Sequence, residues 1–270
     1  LEALEKYQIT IFRGTPATFA ILNRQTNISN YNLRELRACI CSFAPMSERI
    51  FEEFEKKFDA KILEGYGLTE GTSISTMNPI EGKRKIGSVG LPIKGHHIRI
   101  IDTETGETLP PKQKGKIVIS GKNIMKSYYK KPENTATRLI DNELYTEDLG
   151  YFDDEGYLYI SGRVKERIIR GNDTVYPKEI EQELLRHPSI LEVAVIGLPD
   201  EIWGQEITAV IVLRPNQKLT KEEIIIYCRK KLADYRCPRQ VIFQKSLPKT
   251  STGKILKQVL TDELIEQLLN

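Results

Sequence analysis

The sequence predicts an α/β protein in three parts: the rear of a larger α/β domain, a β-rich subdomain, and a small α+β C-terminal domain. Three observations carry this. Residues 1–60 alternate helical and extended patterns. From about Ile86 to Ile160 the texture changes to short strands and tight turns. After Gly162 the order reads helix, strand, strand, helix, strand, loop, helix. The boundaries that follow are 1–162 for the larger part, with its β-rich subdomain from about 86, then a connector at 163–165, and 166–270 for the small domain.

The elements follow in chain order. Ser47 suits the N-cap of a helix whose Ile50, Phe51, Phe54 and Phe58 recur on one face. Lys61–Glu64 reads as a strand running into a turn at Gly65, at the strand end where ligands collect in α/β sheets. His97–Ile101, Lys116–Ser120 and Tyr157–Ser161 are strand-like, and Asp153-Asp154-Glu155-Gly156 suits a hairpin loop. Pro177 opens a helix that His187-Pro188 closes, and Thr220 with Glu223 form a capping box for the next. Ile255, Leu256, Val259, Leu260, Leu264 and Leu268 mark a final long helix.

Composition narrows the function. With 270 residues, 40% hydrophobic and 29% charged, the chain is long enough for two packed domains. A formal charge of +3 gives no case for a nucleic-acid partner, and no apolar run is long enough for a membrane span. Cys39, Cys41, Cys228 and Cys237 form no CxxC pair, and His96, His97 and His187 are not spaced as zinc ligands beside them. They read as small core residues, which fits a reducing, cytoplasmic setting. The chain begins at Leu1, so the true start of the gene product is expected to be absent.

Chemistry concentrates in a few strings. Gly65-Tyr66-Gly67-Leu68-Thr69-Glu70 joins a ring for stacking, a hydroxyl for a phosphate and a carboxylate for Mg²⁺. Asp148, after Tyr145-Thr146-Glu147, offers a carboxylate to a ribose diol, and Arg163 a guanidinium to ribose or phosphate oxygen. Pro248-Lys249-Thr250-Ser251-Thr252-Gly253-Lys254 ends a Ser/Thr/Gly loop in a lysine at the start of the last helix. It is not a Walker loop, because GxxxxGK[ST] is absent. Cys41-Ser42-Phe43-Ala44-Pro45-Met46-Ser47 is a small-residue stretch that suits either a pocket wall or a strand-to-helix turn. Each string alone also fits an ordinary surface loop; together and in order they are specific.

In this order the strings resemble the AMP-forming adenylating superfamily: acyl-CoA synthetases, peptide-synthetase adenylation domains and luciferases. The resemblance runs over practically the whole chain and takes in Gly87-Ser88-Val89-Gly90-Leu91-Pro92, Thr146–Gly150 and Gly162–Glu181. It implies that Gly65 and Tyr66 hold adenine, that Thr69 contacts phosphate and that Glu70 binds Mg²⁺. It likewise implies that Asp148 and Arg163 hold the ribose, that Lys165 is a hinge and that Lys254 stabilises the adenylation transition state. Ser42–Pro45, with Ala44 and Pro45, matches the segment between the adenine and acyl sites. The implied reaction has two halves. A carboxylate attacks the α-phosphate of MgATP to give acyl-AMP and pyrophosphate, then the thiol of coenzyme A displaces AMP after a large rotation of the small domain.

Val175-Tyr176-Pro177-Lys178-Glu179-Ile180-Glu181 resembles acyl- and aryl-CoA ligases more than amino-acid-activating domains. An enzyme loading carrier-protein pantetheine and a nucleotide-binding or interaction fragment without catalysis are the alternatives. The chain departs from the family at Glu147, where the family has glycine, and at Asn172, where many relatives have a second glycine. The family's phosphate loop has no counterpart here, so the chain is expected to be a C-terminal half, inactive alone. Its cut sheet would leave an edge open to its missing N-terminal half or to a second copy in a homodimer. Which carboxylic acid is activated is not legible.

Overall fold

The computed structural model describes residues 1–41, 46, 48–250 and 253–269. They fall into two compact units, Leu1–Ser161 and Gly162–Asn270. No helix among the described residues is long and apolar enough to cross a membrane.

The first unit begins with α1 (Glu2–Lys6), β1 (Ile11–Gly14), α2 (Pro16–Asn23), β2 (Ala38–Cys41), α3 (Glu48–Phe58) and β3 (Lys61–Tyr66). The three strands lie parallel in that order. Thr15 caps α2 reciprocally with Thr18, and Pro16 takes the first helical position, where a missing N–H costs nothing. Phe51, Phe54 and Phe58 form the buried face of α3, against Phe19, Cys39, Cys41 and Ile62. Phe54 meets Phe19 edge-on at 4.9 Å between ring centroids and stacks on Phe58 at 4.2 Å. The expected cap Ser47, together with Ala44 and Pro45, lies outside the described residues.

β3 runs two residues beyond the expected Lys61–Glu64. Gly65 and Tyr66 stay extended because they pair antiparallel with Met77 and Thr76 of β4 (Thr76–Met77), which in turn pairs with β5 (Leu91–Pro92). The turn therefore begins at Gly67.

The second sheet contains β6 (His96–Ile101) and β7 (Gly115–Gly121), then, after α4 (Pro132–Arg138), β8 (Leu139–Ile140), β9 (Glu143–Phe152) and β10 (Leu158–Arg163). Its order is β10-β9-β7-β6, with β8 beside β9, over a core of Ile100, Ile117, Ile119 and Leu158. Asp153 Oδ1 accepts from the N–H groups of Glu155 and Tyr157, both at 2.9 Å, and so shapes the hairpin loop. The Gly87–Pro92 run joins the two sheets. Val89 N–H donates to Leu158 O at 2.9 Å, Leu158 N–H to Gly90 O at 2.9 Å and Ser88 Oγ to Leu158 O at 2.7 Å. Gly90 has φ +85°, and a Cβ there would stand 2.0 Å from the Met77 carbonyl carbon, so only glycine fits.

The second unit opens with a hairpin that periodicity does not reveal, β11 (Ile168–Arg170) and β12 (Asp173–Val175). Gly171 takes the left-handed position of its turn at φ +57°. Then come α5 (Pro177–Leu185), β13 (Ile190–Asp200), β14 (Gly204–Leu213), α6 (Lys221–Lys231), β15 (Gln240–Phe243) and α7 (Lys257–Leu269). β13 and β14 are antiparallel, and β15 adds parallel to β14. Alternation decides which face each side chain joins. Val193, Val195, Ile207, Ala209 and Ile211 pack with Ile180, Leu184 and Ile224 of α5 and α6. Ala194, Ile196, Val210 and Val212 pack with Leu260 and Leu264 of α7 on the other face. The Thr220–Glu223 capping box is present.

With both faces of its sheet covered, the second unit has its own core. Residues 162–270 expressed alone should unfold cooperatively in urea, with Ile211→Val lowering stability by about 0.5–1.5 kcal/mol. A broad, non-cooperative transition would show that the core is incomplete without the first unit.

All four cysteines are buried and unpaired. Burial, then Cys237 and Glu183, pushes the Cys228 thiol up to about 12, above its unfolded value of roughly 8.5. The folded pKa is the higher one, so this contribution to stability is full below about pH 8.5 and lost as pH rises toward 12. The urea midpoint should fall between pH 8 and pH 9.5, and fall less in Cys228→Ala; identical slopes would mean that the thiol ionises equally in both states.

Candidate functional site

Tyr66 ends β3, and Asp148 sits on β9 in the other sheet of the first unit. Tyr66 Oη donates to Asp148 Oδ2 at 2.7 Å across 82 positions of sequence. The register of β7 and β9 explains how Asp148 gets there. Lys116 faces Leu149 and Val118 faces Tyr145, so Ile117 stands opposite all of Thr146, Glu147 and Asp148. This is a bulge, which bends a strand and re-aims a side chain. Thr146 makes it tolerable: its buried hydroxyl donates to Ile117 O at 2.7 Å and accepts from Asp148 N–H at 3.2 Å. Glu147, the family departure, pairs with Arg138 instead of crowding Asp148.

The turn after β3 carries the other candidates. Gly67 is required there, because a Cβ would stand 1.6 Å from Ser73 O. Thr69 and Glu70 lie in the 3₁₀ turn Thr69–Gly71, with Thr69 exposed. Leu68 O accepts from the N–H groups of both Gly71 and Ser73, and Thr72 is left-handed at φ 55°.

The segment following β7 grips this turn. Asn123 Nδ2 donates to Gly71 O at 2.7 Å, Met125 N–H to Glu70 O at 2.8 Å and Tyr128 Oη to Glu70 Oε1 at 2.7 Å. Burial, then the Glu70 hydrogen bond and charge, pushes the Tyr128 phenol up to about 12, so it stays protonated as the donor. Sequence reasoning missed Asn123 and Tyr128. Their partners lie 52 and 58 positions away, beyond any local pattern.

The second unit holds Arg163, Lys165 and Lys254. Arg163 ends β10 and is exposed, and Lys165 is exposed in the 3₁₀ turn Val164–Glu166. The Lys254 loop folds back on itself: Lys249 bridges Ile255, Thr250 N–H donates to Lys254 O, and Lys254 N–H donates to Thr250 Oγ1. Helix α7 begins only at Lys257, so Lys254 stands before the helix rather than at its start. Lys257 takes the helix start, paired with Glu181 at 2.8 Å and Glu166 at 3.0 Å. At the hairpin turn Arg170 holds Glu206 by two bonds and lies 4.3 Å from the Trp203 ring centroid, while Asn172 keeps a negative φ.

No group of three or more His, Cys, Asp or Glu suited to a metal occurs among the described residues. Mg²⁺ does not need one, since it keeps several waters and commonly takes one or two carboxylates plus substrate phosphate. Glu70 fits that demand: Oε1 is held by Tyr128, and Oε2 has no partner among the described residues.

Comparison with known proteins agrees with this architecture. The family model for AMP-binding enzyme matches residues 1–129, and that for its C-terminal domain residues 179–254. The chain belongs to the AMP-binding, adenylate-forming enzyme family. It is 38% identical over 266 residues to a long-chain-fatty-acid–CoA ligase of Bacillus subtilis (strain 168), covering 98% of this chain and 48% of that protein. An oxalate–CoA ligase of Arabidopsis thaliana is 36% identical, covering 98% and 52%. Among solved structures, ATP-bound MatB from Rhodopseudomonas palustris superposes with a TM-score of 0.90 at 33% identity, covering 97% of this chain and 52% of that one. The chain spans about half the length of the relatives it matches.

Gly67→Ala should lower the stability of the first unit by about 1–3 kcal/mol, because the added methyl meets backbone that must move. The thermal midpoint checks this; an unchanged midpoint would show that the turn relaxes freely.

Proposed function

We propose that the whole protein carrying this chain is an AMP-forming acid–thiol ligase that activates a carboxylic acid with ATP and transfers the acyl group to coenzyme A. The observation that carries this reading is the Tyr66–Asp148 pair next to the Thr69–Glu70 turn, at the C-terminal end of a parallel strand. Its relatives among long-chain-fatty-acid–CoA ligases, oxalate–CoA ligases and feruloyl-CoA synthases support it.

In this reading the Tyr66 ring and the Gly65 backbone take adenine, and Asp148 with Arg163 takes the ribose hydroxyls. The hydrogen bond from Tyr66 holds one carboxylate oxygen of Asp148 in place before a ribose arrives. Thr69 supplies a hydroxyl to phosphate. Glu70 would hold Mg²⁺, which supplies charge neutralisation at the phosphates when bound. In the first half-reaction a carboxylate oxygen bonds to the α-phosphorus, and the bond to pyrophosphate breaks. Lys254 supplies a cation to the charge gathering on the phosphoryl oxygens. In the second half-reaction the thiol loses its proton to solvent, its sulfur bonds to the acyl carbon and the bond from that carbon to the phosphate oxygen of AMP breaks. The phosphorus is not attacked, so Lys254 is not called on. Lys165 serves as the pivot between the two states. Ala44 and Pro45, outside the described residues, belong to the segment between adenine and acyl group. The unpaired thiols suit a reducing cytoplasm.

The relatives' names span long-chain fatty, oxalic and ferulic acids, so the acid is proposed only as a carboxylic acid. In the whole protein Lys254→Ala should slow acyl-AMP formation by about 10²–10³, the size of a lost transition-state donor. Conversion of supplied acyl-AMP to thioester should change far less. Pyrophosphate release and thioester formation measured separately decide it: equal losses would make Lys254 structural.

A further inference from the structure

Among the described residues, four hydrogen bonds tie the Glu70 turn to the segment after β7, and they are not equivalent. Asn123 Nδ2 to Gly71 O (2.7 Å), Met125 N–H to Glu70 O (2.8 Å) and Thr72 Oγ1 to Asn123 O (2.5 Å) all fix backbone. Only the bond from Tyr128 Oη to Glu70 Oε1, at 2.7 Å, touches the carboxylate. The terminal torsion of a glutamate is broad, so backbone anchoring alone leaves the two oxygens free to rotate. Ordering such a side chain costs conformational entropy when a ligand must do it. A donor on one oxygen removes much of that freedom in advance and leaves the other oxygen to a cation.

We infer that Tyr128 is a positioning residue for the metal: it clamps Oε1 of Glu70 so that Oε2 is presented to a divalent cation. This rests on the reading of Glu70 as metal ligand proposed above. Partners that orient a ligating carboxylate commonly contribute about 10–100-fold in metal affinity. The phenol is also compatible with a folded variant, since Tyr128 is only half-buried and phenylalanine keeps the ring.

The test compares Tyr128→Phe and Glu70→Gln with the parent, each in the whole protein. Two readouts are needed: the Mg²⁺ dependence of acid-driven ATP–pyrophosphate exchange, and Mn²⁺ binding by electron paramagnetic resonance with a non-hydrolysable ATP analogue. Tyr128→Phe should raise the apparent KM for Mg²⁺ and the Kd for Mn²⁺ by about 10-fold while kcat at saturating metal changes far less. Glu70→Gln should weaken Mn²⁺ binding further. If Tyr128→Phe leaves both metal constants unchanged while Glu70→Gln weakens them, or if it lowers only the thermal midpoint, the role given to Tyr128 is wrong. If Glu70→Gln itself leaves Mn²⁺ affinity unchanged, the failure lies in the metal reading of Glu70.

Discussion

The hydrogen bond between Tyr66 and Asp148 is the constraint on which the candidate site depends. It is made by the last residue of a strand in one sheet and a bulged residue of another. Neither partner is placed by local structure alone. Tyr66 points where it does because β4 keeps the end of β3 extended, and Asp148 because Thr146 satisfies the ladder groups that the bulge leaves open. Removing the Thr146 hydroxyl would leave a buried Ile117 carbonyl without that donor, at a cost of about 1–3 kcal/mol, before any ligand is considered. The site is thus a consequence of sheet register.

That register is set at the seam between the sheets. Asn78 Nδ2 donates to Ser88 O at 2.7 Å, and its Oδ1 accepts from Lys85 N–H at 3.0 Å, while Ser88 and Asn78 are both buried. Thr76, the β4 partner of Tyr66, donates through its hydroxyl to Val89 O at 2.7 Å. One short segment therefore holds the strand beside Tyr66 and, through Leu158, the sheet that carries Asp148. The glycine-rich run 87–92 is part of the family resemblance, yet its observed contacts are those of a structural joint. Gly90 is fixed by close backbone approach, which explains the glycine without any ligand.

What was legible in the sequence was what short-range chemistry encodes. The aromatic face of α3, the proline at the start of α5 and the capping box of α6 all rest on residues within a turn or two of each other. The hairpin Ile168–Val175 escaped because its strands have three residues each, too few for alternation to show. The late start of α7 escaped because Ile255 and Leu256 continue the apolar spacing of the helix. Ile255 in fact packs onto the α7 face of the sheet from the bridge with Lys249. In the site, the glycine-flanked tyrosine turn was readable as a string. The clamp by Asn123 and Tyr128 was not, since polar pairing between distant segments leaves no periodic trace.

Lys257 shows how the second unit handles a similar problem with charge. A lysine at a helix N-terminus opposes the helix dipole, and burial works to lower its pKa. Glu181 and Glu166 more than reverse that, and its pKa is raised. Glu181 is itself anchored, accepting from Val195 N–H at 2.7 Å in the central sheet. A partly buried pair of this kind contributes less through attraction than through what its loss would leave uncompensated, so its main effect is to fix geometry. Here it fixes the turn Val164–Glu166 to α5, to β13 and to the start of α7, directly after the Lys254 loop. Glu166 therefore belongs to the rigid part of its unit. The physical chemistry of one half-buried lysine thus ties residue 166 to the core of the second unit, directly after the connector that the sequence marks as 163–165.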